Sequence, residues 1–186
     1  MPFGSLWLPV IVSAVAVFVA SSIIHMALRY HRADCKALPN EDAVREALGK
    51  GSPAPGLYFV PHVVDSKEFK KPAVVEKFVK GPVAIITVAR NGPPAMGKYL
   101  GLWFGLCLFV AFVSAYLARH TLTFGADGLT VMRVTGTMAF MGYGVSHISD
   151  SIWKQQPWGN TARALLDAAI YAVITGLIFR LLWPSA

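Results

Sequence analysis

The sequence predicts an all-α membrane protein: four transmembrane helices, with a small α/β cytoplasmic cap formed by the first loop. The prediction rests first on four apolar stretches, Leu6–Leu28, Tyr99–Ala118, Leu129–Ser149 and Ala164–Trp183. Each approaches the ~20 residues a helix needs to cross ~30 Å of hydrocarbon. The stretches lack the apolar/polar alternation of barrel strands, and only helices or closed barrels satisfy their backbone groups in lipid. Composition agrees: of 186 residues, 55% are hydrophobic and 15% charged, against about 25% charged in soluble domains.

The chain accordingly divides into a first membrane helix within residues 1–28, a cytoplasmic loop or cap at 29–98 and a second helix at 99–118. A third helix follows at 129–149, then an interfacial cytoplasmic loop at 150–163 and a fourth helix at 164–183. No internal repeat, low-complexity tract or second domain is evident.

The first span differs from a signal peptide in lacking a basic n-region, in the length of its apolar core, and in having no small-residue cleavage site before a soluble body. Its positive charges follow it, at Arg29, Arg32 and Lys36, which holds that end in the cytoplasm. Residues 29–98 carry twelve Lys or Arg against seven acidic residues, and Arg90 and Lys98 flank the second span. The opposite side offers Arg119 and Asp127 at its edges, and the next cytoplasmic turn has Lys154 and Arg163. Both termini are therefore expected in the periplasm. Two aromatic belts fit this topology, Trp7, Tyr116 and Trp183 outside and Tyr30, Tyr99, Trp103, Trp153 and Trp158 inside. Such rings favour the interfaces of any membrane protein.

The formal net charge of +7 has the same explanation. Most of the excess lies in a membrane-flanking loop, where it attracts anionic lipid, so no nucleic-acid partner is expected.

Within that loop, Asn40 is placed to cap a short helix, with Glu41 and Asp42 in its first turn and Gly49 closing it. Gly51–Gly56 breaks the chain, and Leu57–Val64 reads as extended. Asp65 and Glu68 permit a capping box, and Pro72 opens a helix through Lys80 that Gly81 stops. Pro82–Ala89 is a second extended segment before the turn at Asn91–Pro94. A core built from about 60 residues is marginal alone, which favours docking onto the membrane part.

Packing signals recur in the spans. Ala164, Ala168, Ala172 and Gly176 form a fourfold small-residue seam on the last span, and Gly101 and Gly105 make one Gly-x-x-x-Gly on the second. Either serves packing within the chain or association with another subunit.

Polar groups within spans are costly in lipid and mark functional candidates. Arg133, Thr137, Gly144 and His147 share one face of the third span. Asp167, Tyr171 and Thr175 make a ridge on the fourth, and the first ends with Ser21, Ser22 and His25. At their expected depths, His25, His147 and Asp167 converge near the cytoplasmic boundary. One reading is hydrogen bonding between helices, with Asp167 paired to a histidine or to Arg163. Others are a metal or haem site, since imidazole and carboxylate are acceptable ligands, or a proton relay. His31 and Cys35 stand at i, i+4 if the first helix continues past Arg29, and His62 lies in the cap. Cys107 is mid-span and far from Cys35. Phosphate-loop, nucleophile-elbow, Cys-x-x-Cys and His-Glu-x-x-His motifs are lacking. No cofactor is predicted.

Ser22-Ile23-Ile24-His25-Met26, Tyr30-His31-Arg32 and Leu38-Pro39-Asn40-Glu41-Asp42-Ala43-Val44, together with Gly81-Pro82-Val83 and Ser151-Ile152-Trp153…Pro157-Trp158, resemble a family of uncharacterised four-helix bacterial inner-membrane proteins. The resemblance covers most of the chain and implies a bacterial inner-membrane location. It supplies no reaction, and no residue role is carried over.

Two functional classes follow. The first is a structural or accessory subunit of a membrane assembly, supported by the seam and the lack of catalytic motifs. The second is a small transporter or membrane enzyme using His25, His147 and Asp167.

Overall fold

The computed structural model describes residues 3–185, and they fall into two compact units. One runs up to Lys36 and resumes at Ala95; the other is Ala37–Pro94. Where the sequence predicts no second domain, the loop thus forms a unit of its own, contiguous in sequence and built around a pair of strands.

The larger unit is built on four long helices: α1 (Trp7–Ala27), α4 (Met96–Thr121), α5 (Gly128–Trp153) and α6 (Trp158–Leu181). Packing runs in a ring, α1 against α4, α4 against α5, α5 against α6, and α6 back against α1. Short connections reverse the chain between the last three. Asp127 caps α5 by accepting from the Thr130 N–H at 3.0 Å. The Trp183 indole donates to the Thr123 carbonyl at 3.1 Å, tying the end of α6 to the α4–α5 turn.

Three helices, Gly4–Ala27, Met96–Thr121 and Trp158–Leu181, are long and apolar enough to cross a membrane. Their outward residues agree: Leu8, Ile11, Val15 and Val19 on α1 and Leu102, Leu106 and Phe109 on α4 are all exposed. Apolar surface this continuous is disfavoured in water and required in lipid. The chain is a membrane protein. The expected fourth span corresponds to α5, which has 26 residues but is not among these three, because Arg133, His147 and Asp150 dilute its apolar run.

Small residues set the distance between α5 and α6. A β-carbon on Gly176 would lie 2.9 Å from the Met132 carbonyl oxygen, and one on Gly136 would lie 3.1 Å from that of Ala172. One on Gly144 would lie 2.9 Å from the Ala168 β-carbon. The seam on α6 is therefore filled from within the chain, by α5. Gly101 and Gly105 behave differently: a β-carbon on either meets nothing within 4 Å.

The smaller unit begins with α2 (Glu41–Gly51). Asn40 occupies its N-cap position but makes no side-chain cap bond, and the helix runs past Gly49 to end at Ser52 in the left-handed region (φ 41°). Strand β1 (Gly56–Val60) pairs antiparallel with β2 (Ala84–Val88), Tyr58 facing Ile86. Both are shorter than the extended segments expected. Between them Asp65 caps a 3₁₀ turn by accepting from the Lys67 N–H at 2.9 Å. Pro72 opens α3 (Pro72–Lys80), and Gly81 ends it at φ 61°.

Candidate functional site

The site begins where α1 stops. The helix ends at Ala27, Leu28 turns extended (ψ 135°), and Tyr30–Ala33 coil into a 3₁₀ turn. The helix therefore does not continue past Arg29 as the His31/Cys35 spacing required. Instead the turn folds His31 back over His25, so that the two imidazoles stack 4.4 Å apart with 9° between their planes. Cys35 is left exposed and outside the cluster.

The receiving surface is one face of α6. Asn160, Arg163, Asp167 and Tyr171 follow at helical offsets of three or four residues and so lie in line. Asn160 donates to the Asp34 carbonyl at 3.1 Å, and Arg163 donates from Nε to Asp34 Oδ1 at 2.5 Å and from its terminal nitrogen to Asn160 Oδ1 at 2.7 Å. Asp167, only 7% exposed at its side chain, takes the Tyr30 hydroxyl on Oδ1 and lies 2.8 Å from His31 Nε2 through Oδ2. His31 Nδ1 lies 2.6 Å from Asp34 Oδ2. His25 Nε2 lies 3.9 Å from Asp167 Oδ2, and its Nδ1 donates to the Ser21 carbonyl at 3.0 Å.

Charge organises these contacts. Burial alone would raise the Asp34 carboxyl, but hydrogen bonds from His31 and Arg163 and their positive charge outweigh it and hold the group below the usual carboxylate range. Tyr30 moves the other way: burial, then the hydrogen bond to Asp167 and the charge of that carboxylate, push its hydroxyl up to about 12. Tyr30 therefore stays a donor, leaving Asp167 Oδ2 to the two histidines.

Beneath the site lies an aromatic cluster. Trp103 donates from its indole to Ser21 Oγ at 2.8 Å, and Tyr143 meets Tyr171 edge-on at 5.3 Å. Two rings assigned from sequence to the inner belt, Tyr30 and Trp103, thus turn inward to polar partners instead.

The residues singled out from the sequence separate accordingly. His25 and Asp167 come together, joined by His31, and Asp167 faces histidines while Arg163 goes to Asp34. His147 is not part of the group, because α6 turns Ala168 toward α5 and the preceding Asp167 toward the α1 side. Its carbonyl instead accepts from Thr161 at 3.2 Å. Arg133 and Thr137 are exposed on the outer face of α5. His62 belongs to the smaller unit, where it lines a groove with Lys77 and Lys80. Asp34, which anchors the arrangement, carries only a faint signal in the sequence, a lone acid in a basic run three residues after His31.

No family model, curated protein or solved structure matches the chain.

Proposed function

We propose that the chain is an accessory subunit of a bacterial inner-membrane assembly, crossing the membrane four times with both termini periplasmic and residues 29–98 cytoplasmic. The observation that carries the reading is an open packing surface on α4. Gly97, Gly101 and Gly105 repeat every four residues, and a β-carbon at any of them would meet no described atom within 4 Å. Such spacing lets another helix approach closely within a membrane. The seam on α6 is occupied by α5, whereas no described residue covers this one. It suits a helix from another subunit or a second copy.

Treatment of α5 as the fourth span rests on its length and on where its charges lie. Arg133 is exposed near the Asp127 end, from which its long side chain can reach the interface. At the other end Lys154 pairs with Asp150 at 2.7 Å. Orientation follows from Arg29, Arg32, Lys36 and Lys98 beside the first loop, which also favour anionic lipid there.

Purification in mild detergent followed by native mass spectrometry tests the reading. The expected result is a stoichiometric complex, lost in the Gly101→Leu/Gly105→Leu variant while the melting temperature of the isolated chain is retained. A homogeneous monomer, or a complex indifferent to both substitutions, would overturn it.

A further inference from the structure

An accessory role explains the bundle but not His25. The ties among Tyr30, His31, Asp34, Arg163 and Asp167 hold the 3₁₀ turn to α6 without it, and its side chain is 53% exposed. Yet its Nε2 lies 3.9 Å from a buried carboxylate. We propose that His25, His31 and Asp167 form a binding site for a divalent first-row transition-metal ion of the zinc or iron(II) class. This inference is independent of the subunit reading.

The ligand atoms are His25 Nε2, His31 Nε2 and a carboxylate oxygen of Asp167, all within 4.8 Å of one another. Bonds of about 2.0–2.2 Å place neighbouring ligand atoms of one coordination sphere roughly 3–3.5 Å apart. His31 Nε2 and Asp167 Oδ2 are 2.8 Å apart and His25 Nε2 and Asp167 Oδ2 are 3.9 Å apart, so these two pairs need only small displacements, and the two ring nitrogens lie within 4.8 Å of one another. The stacked rings must also tilt open so that both lone pairs point at one ion. His25, half exposed and hydrogen-bonded only at Nδ1, is the ring able to do so.

The surroundings fix the chemistry of each ligand. In both histidines Nδ1 faces an acceptor, the Ser21 carbonyl for His25 and the Asp34 carboxylate for His31. For His25 that assigns Nδ1 as the protonated nitrogen and Nε2 as the ligand; His31 faces a carboxylate at both nitrogens, and its Nε2 becomes a ligand where the ion takes the place of the proton. Asp34 is itself held by Arg163, which reproduces the carboxylate–histidine support found behind metal ligands. Tyr30 occupies Asp167 Oδ1 and leaves Oδ2 for the ion. A carboxylate with two neutral imidazoles is a borderline N/O donor set that suits zinc and iron(II) over calcium or magnesium. Three protein ligands leave coordination positions open, the pattern of reactive rather than purely structural sites.

His120 is an internal control. It repeats the local geometry of His25, with Nδ1 2.7 Å from the Tyr116 carbonyl four residues back, but is not among the clustered ligands.

The test uses the full chain purified in detergent on a tag without histidine, titrated with Zn²⁺ and with Co²⁺ as a visible-absorbing substitute. One ion per chain is expected, with cobalt absorption typical of nitrogen and oxygen ligands. His25→Ala should weaken binding at least ~10-fold without unfolding the chain, since it leaves the ties to α6 in place, and Asp34→Asn should weaken it ~10–100-fold. His120→Ala should bind as the parent does. Absence of stoichiometric binding, unchanged affinity in His25→Ala, or equal loss in His120→Ala would each overturn the assignment.

Discussion

His31 stands between two carboxylates, its Nδ1 2.6 Å from Asp34 and its Nε2 2.8 Å from Asp167. One acid lies just beyond its own turn and the other on α6, so a single ring joins the end of α1 to the last helix. Arg163 completes the connection by holding Asp34 from the α6 side at 2.5 Å. Replacing Arg163 with Met keeps the length of the side chain and removes its donors, leaving a half-buried carboxylate short of a partner. Loss of about 1–3 kcal/mol is expected, read as a lower melting temperature with faster amide exchange across Tyr30–Ala33. Unchanged exchange there would separate Arg163 from the stability of the turn.

The same carboxylate gives the region an acid limit. Asp34 is held below its ordinary value of 3.8, so its stabilising contribution is complete above that value. The contribution fades as pH falls through the lower folded value. Melting curves taken from pH 6 down to pH 3 should show a loss in the parent that is smaller in Asp34→Asn, whose side chain does not titrate. Parallel curves for the two proteins would contradict the assignment.

Tyr30 sets an alkaline limit with the opposite sign. Its hydroxyl is pushed from 10.0 up to about 12, so between those values the unfolded chain loses a proton that the folded chain retains. Stability therefore falls as pH rises through this window. Tyr30→Phe removes the group, and the gap between parent and variant should narrow between pH 10 and pH 12. An absorbance titration of the phenolate, compared between the two proteins, checks the same shift directly.

Legibility in the sequence follows what each signal encodes. Apolar runs report length and depth, so the long helices are legible in the sequence. Depth does not report azimuth. His147 lies at a similar level, but Asp167 and Ala168 point about 100° apart on α6, and Ala168 is the one that meets α5. The role of Asp34 was hidden because the chain leaves the helix at Leu28 and returns through a 3₁₀ turn, a reversal that no apolar periodicity announces. The small-residue seam on α6 was likewise visible while its partner was not. Gly136 and Gly144, which meet Ala172 and Ala168, stand eight residues apart and outside any simple repeat.

That seam predicts unequal costs along one helix pair. A side chain on Gly176 meets the Met132 backbone at 2.9 Å, and backbone cannot step aside as a flexible side chain can. Gly176→Val should destabilise by about 1–3 kcal/mol through overpacking. Gly101→Val, in open space on α4, should leave the melting temperature of the isolated chain within about 1 °C, as substitutions away from packed contacts cost little. Equal effects at the two positions would mean that the α5–α6 contact is looser than the described packing.

Orientation in the membrane is the last prediction, and it turns on charge rather than on packing. Arg29, Arg32, Lys36 and Lys98 lie at the ends of the first loop, within the reach over which basic residues resist translocation. The opposite ends of α4, α5 and α6 carry Arg119, Arg133 and Arg180, so the bias between sides is moderate and can be inverted. Alkaline phosphatase fused after Ser185 should be active, and a fluorescent reporter in the same place dark. Fusion within Gly51–Gly56 should give the reverse. Exchanging Arg29, Arg32 and Lys36 for Gln should weaken the preference and yield a mixed population. Full fluorescence at the C-terminal fusion of the parent chain would place that end in the cytoplasm. With α5 crossing, the site around Asp167 would then face the periplasm, and the metal ion it binds would come from that compartment.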